Sequence, residues 1–287
     1  MKYLVLGSTG KLGNSVSEYL ISKQCEIINT SRKDSEHPLD LINLERINSF
    51  LDEINPEIII NCSGNVNFSF CEDNKDYINQ LHVESTKKIL NWSEENKSRY
   101  IHISTDHFFD GNEKKLHKES DEVNILNHYA RTKFHAEQIA AKYNNSVIIR
   151  TSFISFSDNK RGAFGDWLID TLFENESPTL FDDSYTSSLD IHTLNKALFE
   201  VSESDYSGLI NIGIDGVYSK AELVIDLLER FSIKKSRIEL KSVKSISPER
   251  ASSLGLDTSL FRSNFETRLP KYHDLVDYLY EEIQSRI

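Results

Sequence analysis

Cysteine is scarce in this 287-residue chain: Cys25, Cys62 and Cys71 are all it has. They share no paired spacing and no metal motif. An odd, sparse set excludes a disulfide framework and reads as free thiols in a reducing compartment. Long apolar runs are missing too. None approaches the ~20 residues that a membrane-spanning helix needs. There is no excess of basic charge: 33 Lys and Arg stand against 45 Asp and Glu, a net charge of −12. A nucleic-acid-binding surface would be basic, so that partner is excluded, while a local phosphate pocket stays open. No G-x-S-x-G elbow occurs, so a serine hydrolase lacks its nucleophile turn. Internal repeats and low-complexity segments are absent. The first residues run directly into a strand pattern, and the expectation is that no signal peptide precedes the fold. The chain is therefore expected in the cytoplasm. Hydrophobic residues make up 38% and charged residues 27%, which suits a packed core rather than a disordered chain.

The stretch that organises the rest is Lys-Tyr-Leu-Val-Leu-Gly-Ser-Thr-Gly-Lys-Leu-Gly, residues 2–13. Tyr3 to Leu6 is the length of a buried parallel strand. Gly7 and Gly10 turn the chain, and a helix opens at Lys11 and ends near Ser22. Gly7 permits the tight turn, Gly10 lets backbone amides approach a pyrophosphate, and Gly13 lets the helix pack close on the strand. The helix N-terminus adds partial positive charge toward phosphates. The spacing is G-x-x-G-x-x-G rather than the usual G-x-G-x-x-G.

Residues 25–29 read as a second strand, followed by Thr30, Ser31 and Arg32. An acidic residue here would grip a ribose 2′-hydroxyl. A hydroxyl at Ser31 followed by the Arg32 guanidinium suits a 2′-phosphate instead, which favours NADPH and leaves NADH open. Further strands are expected at 57–61, 100–104 and 146–151, with helices at 43–54, 73–96 and 129–143. Strand and helix alternate, so the expected fold is α/β, a doubly wound parallel sheet with right-handed crossovers. Cys62, Ser63 and Gly64 fall at the carboxyl end of the third strand, where open α/β sheets bind ligands. Residues 108–128 are polar and irregular, in keeping with an active-site loop.

Beyond Thr151 the rhythm loosens. A bend at 162–165 precedes a helix at 166–173. Short strands near 179–181 and 187–190, a helix at 192–201 and a strand at 208–212 follow. A capping box at Ser219 and Glu222 opens a helix to about 231, and a last helix covers 272–284. Residues 1–153 are expected to form a dinucleotide-binding domain. Residues 154–287 are expected to form a smaller, mainly substrate-binding α/β domain, with segments near 187–213 returning to the first.

Tyr129 and Lys133 are spaced i and i+4, on one face of a helix. A nearby ammonium favours the phenolate, and a tyrosine tuned this way can protonate a carbonyl oxygen as hydride reaches its carbon. The same spacing recurs at Tyr19 and Lys23, far from any strand's carboxyl end, and reads there as structural. Thr105, just beyond the fourth strand, can hydrogen-bond a substrate oxygen or hold Tyr129. Five histidines lie between 102 and 135, but none is paired at metal-ligand spacing. They read as solvent or packing residues, and no metal is expected.

Taken in order, GSTGKLG, NPEIIINCSG, STDHFFDG, YARTK and RTSF resemble the extended short-chain dehydrogenases. Within these they are most similar to the dTDP-4-dehydrorhamnose reductase branch and its sugar-nucleotide reductase kin. Pro248 to Ala251 and Leu256-Asp257 are similar to that branch's Arg-Pro and Leu-Asp segment. The resemblance implies a Rossmann-type fold and a catalytic triad of Thr105, Tyr129 and Lys133. It implies cofactor contacts from Gly7, Thr9, Gly10, Lys11, Leu12, Gly13, Arg32, Asp40 and Leu41, and from the Cys62–Gly64 turn. Lys133 would hold the nicotinamide ribose besides acidifying Tyr129. The substrate implied is a nucleotide-linked 4-keto-6-deoxy sugar of cell-surface polysaccharide synthesis, lying between the two domains and touched by His107, Phe153 and Arg250. Three positions depart from the branch. His107-Phe108 stands where Tyr-Val is common, Ala130 stands for Gly, and Phe153 stands for Trp. A non-catalytic NAD(P)-binding regulatory subunit and a sugar-nucleotide epimerase stay open, as does a homodimer.

Overall fold

The computed structural model describes residues 1–111, 114–157 and 164–287. The chain divides into two compact units. The first comprises residues 1–105, 125–150 and 195–210, and the second comprises 106–124, 151–194 and 211–287. Residues 106–124 thus group with the second unit, whereas the sequence reading kept them with the first. The bridge from His117 to Leu256, and backbone hydrogen bonds from His117 to Gly255 and from Ser253 to Phe109, tie this segment to residues late in the chain.

In order the first unit begins with β1 (Lys2–Leu6), α1 (Lys11–Ser22), β2 (Glu26–Thr30), α2 (Leu44–Ile54) and β3 (Ile58–Asn61). Then come α3 (Phe68–Asp73), α4 (Lys75–Asn79), a π-helical turn (Gln80–Glu84), α5 (Ser85–Asn96) and β4 (Arg99–Ile103). After the loop follow α6 (His128–Ala140) and β5 (Ser146–Thr151). The second unit brings β6 (Phe153–Ile154), α7 (Phe164–Ile169), a π-turn (Asp170–Glu174), β7 (Thr179–Phe181), β8 (Tyr185–Thr186) and β9 (Leu189–Asp190). Both units share α8 (Ile191–Glu203) and β10 (Gly208–Ile212). The second unit closes with β11 (Tyr218–Ser219), α9 (Lys220–Arg230), β12 (Glu239–Lys241), β13 (Ser253–Leu254), α10 (Ser259–Asn264) and α11 (Tyr272–Gln284).

The central sheet runs β10-β5-β4-β3-β1-β2. The pairings of β1 with β2 and β3, of β3 with β4 and of β4 with β5 are all parallel. Strands buried on both faces read as near-continuous apolar runs, and β3 is Ile-Ile-Ile followed by Asn61 at its carboxyl end, with every residue buried. On one face Leu4, Leu6, Ile59, Tyr100 and Ile148 meet Phe50 and Leu51 of α2, Ile89 and Trp92 of α5 and Ala140 of α6. On the other face Tyr19 of α1 meets Phe199 of α8 edge-on at 5.9 Å. This is the doubly wound α/β arrangement expected from the strand–helix alternation.

One expectation needs correction. The helix expected at 73–96 runs unbroken from Lys75 to Asn96 but carries a π-turn inside it and starts only after a break. An Asn74 break separates α3 from α4, and a π-turn then precedes α5. Helical periodicity survives a one-residue insertion well enough to look continuous. The capping box at Ser219 and Glu222 is formed as read. Residues 162 and 163 of the expected bend lie outside the described residues, and residues 164 and 165 already belong to α7. In the second unit the sheets are small: β11-β8-β13, β12-β7 and β6-β9.

Candidate active site

The glycine turn after β1 builds one wall of a cleft of about 320 Å³ in the first unit. Gly7 holds φ +77°, and a Cβ there would stand 2.9 Å from Ser63 Cα. Only glycine satisfies both conditions. Gly13 has no room either, because a Cβ would meet the Gly7 carbonyl oxygen at 2.2 Å. Helix α1 thereby packs hard against the turn and aims its N-terminus at the cleft. It carries no side-chain cap and no acidic residue in its first turn. Its positive end is thus left for an anion. Thr30 accepts from the amides of Gly7 and Ser8, at 2.9 and 3.0 Å, fixing the turn to the end of β2.

Gly7, Thr9, Gly10, Ser31, Arg32, Asp40, Leu41, Cys62, Ser63 and Gly64 all line this cleft. Lys11, Leu12 and Gly13 are not among its lining residues. Leu12 and Gly13 are buried in α1 and shape the turn from behind. Arg32 donates to the Tyr77 hydroxyl at 3.0 Å. The Cys62 thiol is pushed up to about 12 by burial, so it stays neutral. A cradle closed to side chains, an open helix end and an arginine on the rim fit a dinucleotide bearing a 2′-phosphate. Four lining residues that sequence reasoning missed are Asn65, Tyr77, Leu81 and Leu39. None belongs to a local motif.

Thr105, Tyr129 and Lys133 are all buried in the same unit. Helix α6 is started by Asn127, whose side chain accepts from the Ala130 amide at 2.9 Å. Lys133 Nζ donates to the carbonyl of Ile103, the last residue of β4, at 2.6 Å. It also stands 3.5 Å from His102 Nε2. An ammonium can only donate, so His102 Nε2 accepts and its Nδ1 carries the proton. That Nδ1 lies 3.3 Å from the Tyr100 hydroxyl, which accepts from Asn61 at 2.7 Å. Burial pulls Lys133 down to about 8, with Glu137 and Cys62 pulling the other way. Burial, reinforced by the Lys133 charge, holds His102 well below the usual histidine range. His102 was read as a packing or solvent residue; here it is a neutral acceptor for Lys133. The decoy pair behaves as read: Lys23 Nζ lies 5.3 Å over the Tyr19 ring.

One turn beyond Lys133, Glu137 takes a bidentate pair from Arg150 of β5, with Nη2 to Oε2 at 2.8 Å. Ser104 donates to the same carboxylate at 2.5 Å. In the second unit His107 lies 3.9 Å from Asp106. Burial, with Lys220 and Arg250 nearby, lowers it to about 3. Lys220, the first residue of α9 and not singled out from the sequence, is brought to the same cluster. Phe153 pairs with Leu189 between β6 and β9. Among the described residues no group of three His, Cys, Asp or Glu side chains is placed to hold a metal ion. No helix among them is long and apolar enough to cross a membrane.

The model of the RmlD substrate binding domain family matches residues 1–285. The chain belongs to this family. Among curated relatives, a Haloferax volcanii protein named "Probable low-salt glycan biosynthesis reductase Agl14" is 23% identical over 222 residues, 74% of each chain. The dTDP-4-dehydrorhamnose reductase of Aggregatibacter actinomycetemcomitans is 25% identical over 154 residues, 53% of this chain and 51% of that one. The chain therefore spans about half the length of that relative. The dTDP-4-dehydrorhamnose reductase of Bacillus anthracis, solved in complex with NADP, superposes with a TM-score of 0.87 at 20% identity. That match covers 98% of this chain and 99% of the other, and it shows that the fold is shared.

Proposed function

We propose that this protein is an NADPH-dependent reductase of a nucleotide-linked 4-keto-6-deoxy sugar in glycan synthesis. The observation that carries the reading is Lys133, buried as a cation on the last carbonyl of β4, one helical turn from Tyr129. The family's named reductases and the NADP complex of a structural relative support it. The Gly7 turn and the α1 N-terminus would hold the pyrophosphate, and Ser31 and Arg32 the 2′-phosphate. The bound dinucleotide supplies hydride to the keto carbon.

The chain's own residues manage the proton. Tyr129 passes its phenolic proton to the substrate's carbonyl oxygen as that oxygen gains charge. Lys133 keeps positive charge beside the phenol and steadies the phenolate left behind. Thr105 donates to the same oxygen and fixes its direction. His107, Phe153 and Arg250 are proposed to contact the sugar nucleotide.

Purified protein mixed with NADPH and a panel of dTDP- and UDP-linked 4-keto sugars is expected to consume NADPH with at least one of them. Tyr129→Phe should lower kcat by about 10²–10⁴-fold and still bind NADPH. Tight NADPH binding without turnover on any sugar would point to a non-catalytic regulatory protein instead.

A further inference from the structure

The π-turn at Gln80–Glu84 inserts an extra residue between α4 and α5. Such turns are rare, cost helical hydrogen-bond geometry and cluster at functional sites. This one carries His82, which is buried at 3% exposure. Its Nε2 lies 3.1 Å from the Asn65 backbone nitrogen, and its Nδ1 lies 2.9 Å from Thr132 Oγ1. A backbone amide only donates, so Nε2 is the acceptor and Nδ1 carries the proton. Nδ1 therefore donates to Thr132, whose hydroxyl proton goes to the carbonyl of His128 or Tyr129, at 3.2 and 3.1 Å. Donors and acceptors match in sequence along the whole chain.

One nitrogen thus faces the cofactor side and the other faces the catalytic helix. Gly64 and Asn65 line the cleft, and a Cβ on Gly64 would stand 3.4 Å from Nε2. On the other side the ring lies edge-on to Tyr129, with centroids 6.0 Å apart. Resting on the reductase reading, we propose that His82 is a positioning residue that ties α6 to the cleft wall, so that seating the dinucleotide and aligning Tyr129 are coupled. The imidazole must remain neutral to accept from Asn65. Burial first, then the charges of Lys133 and His128, hold it there.

The two arms can be cut separately. His82→Gln keeps an acceptor near the Nε2 position and loses the donor to Thr132. His82→Asn keeps a donor near Nδ1 and loses the acceptor for Asn65. NADPH dissociation constants come from fluorescence titration of the free protein, and kcat from turnover of the best 4-keto sugar nucleotide found. His82→Gln should leave the NADPH Kd within about twofold and lower kcat about tenfold or more, the worth of one buried hydrogen bond. His82→Asn should raise the Kd about tenfold and change kcat less. Thr132→Val, nearly isosteric, should copy His82→Gln. Melting curves confirm that each variant is folded. The tie is overturned if Gln and Asn variants shift Kd and kcat alike, or if both leave them unchanged. Absence of wild-type turnover overturns the reductase reading alone, and the tie is then judged by the Kd of Asn against Gln.

Discussion

Lys133 is costly to keep charged. Its folded value sits near 8 against an ordinary 10.5, with burial the leading cause. Between those values the unfolded chain holds more protons than the native one. Stability therefore rises with pH over that window, and below it the full burial cost is borne. Lys133→Met removes that cost. It should raise the Tm of the cofactor-free protein at pH 7 and flatten its rise toward pH 10. The same change should lower kcat/KM by about 10²–10⁴-fold and abolish the fall in activity expected in wild type above about pH 8. A variant that is neither more stable nor less active would refute this account of the residue. The cradle was readable because one loop builds it: Gly7, Gly10 and Gly13 stand together in sequence, and Arg32 follows the next strand. Asn65, Tyr77, His82 and His102 arrive from separate segments whose local spacing carries no signal. Their roles follow from partners that only the folded sheet brings near.

At the scale of elements, α6 is held to the sheet by more than apolar contact. Glu137 receives Arg150 from β5 and Ser104 from the end of β4, all three side chains buried. Glu137→Gln would leave the Arg150 cation buried with a weaker partner, and should cost about 3–5 kcal/mol of stability. Replacing both, Glu137→Leu with Arg150→Met, should recover most of it, because a buried pair is rarely better than well-packed apolar groups. Urea unfolding of the single and double variants checks this. Equal destabilisation in both would show that packing rather than the ion pair dominates. Elements with a strong period were legible within a residue or two, as for α1, α2, β5 and α11. The π-turn was not, since an inserted residue leaves no compositional mark. The short strands β11, β12 and β13 were missed because two or three residues cannot display alternation.

For the whole molecule, the decisive feature is the number of histidines that fold as neutral groups. His82 and His107 are lowered to about 3, and His102 well below its ordinary 6.5, burial leading in each case. Lys133 adds to the effect on His82 and His102, and Lys220 and Arg250 add to that on His107. A histidine lowered by folding contributes stability above pH 6.5 that is lost as pH falls, because only the unfolded chain takes up the proton. At pH 5.5 each costs on the order of 1 kcal/mol, so the three together remove a few kcal/mol. Glu72, Asp121 and Asp274, all lowered by folding, act below their ordinary 4.5 or 3.8 and leave this window to the histidines. The net charge of −12 works the other way, since acid reduces self-repulsion. That repulsion is spread over the surface and screened beyond about 8 Å at physiological salt, so the buried groups should win. Melting temperature at constant ionic strength is expected to fall by roughly 10 °C between pH 7 and pH 5.5. His107→Gln should remove about a third of that slope. A Tm that stays level or climbs over the same interval would mean that the histidines titrate in the native protein, and that the neutral forms assigned to His82 and His102 around the catalytic helix are wrong.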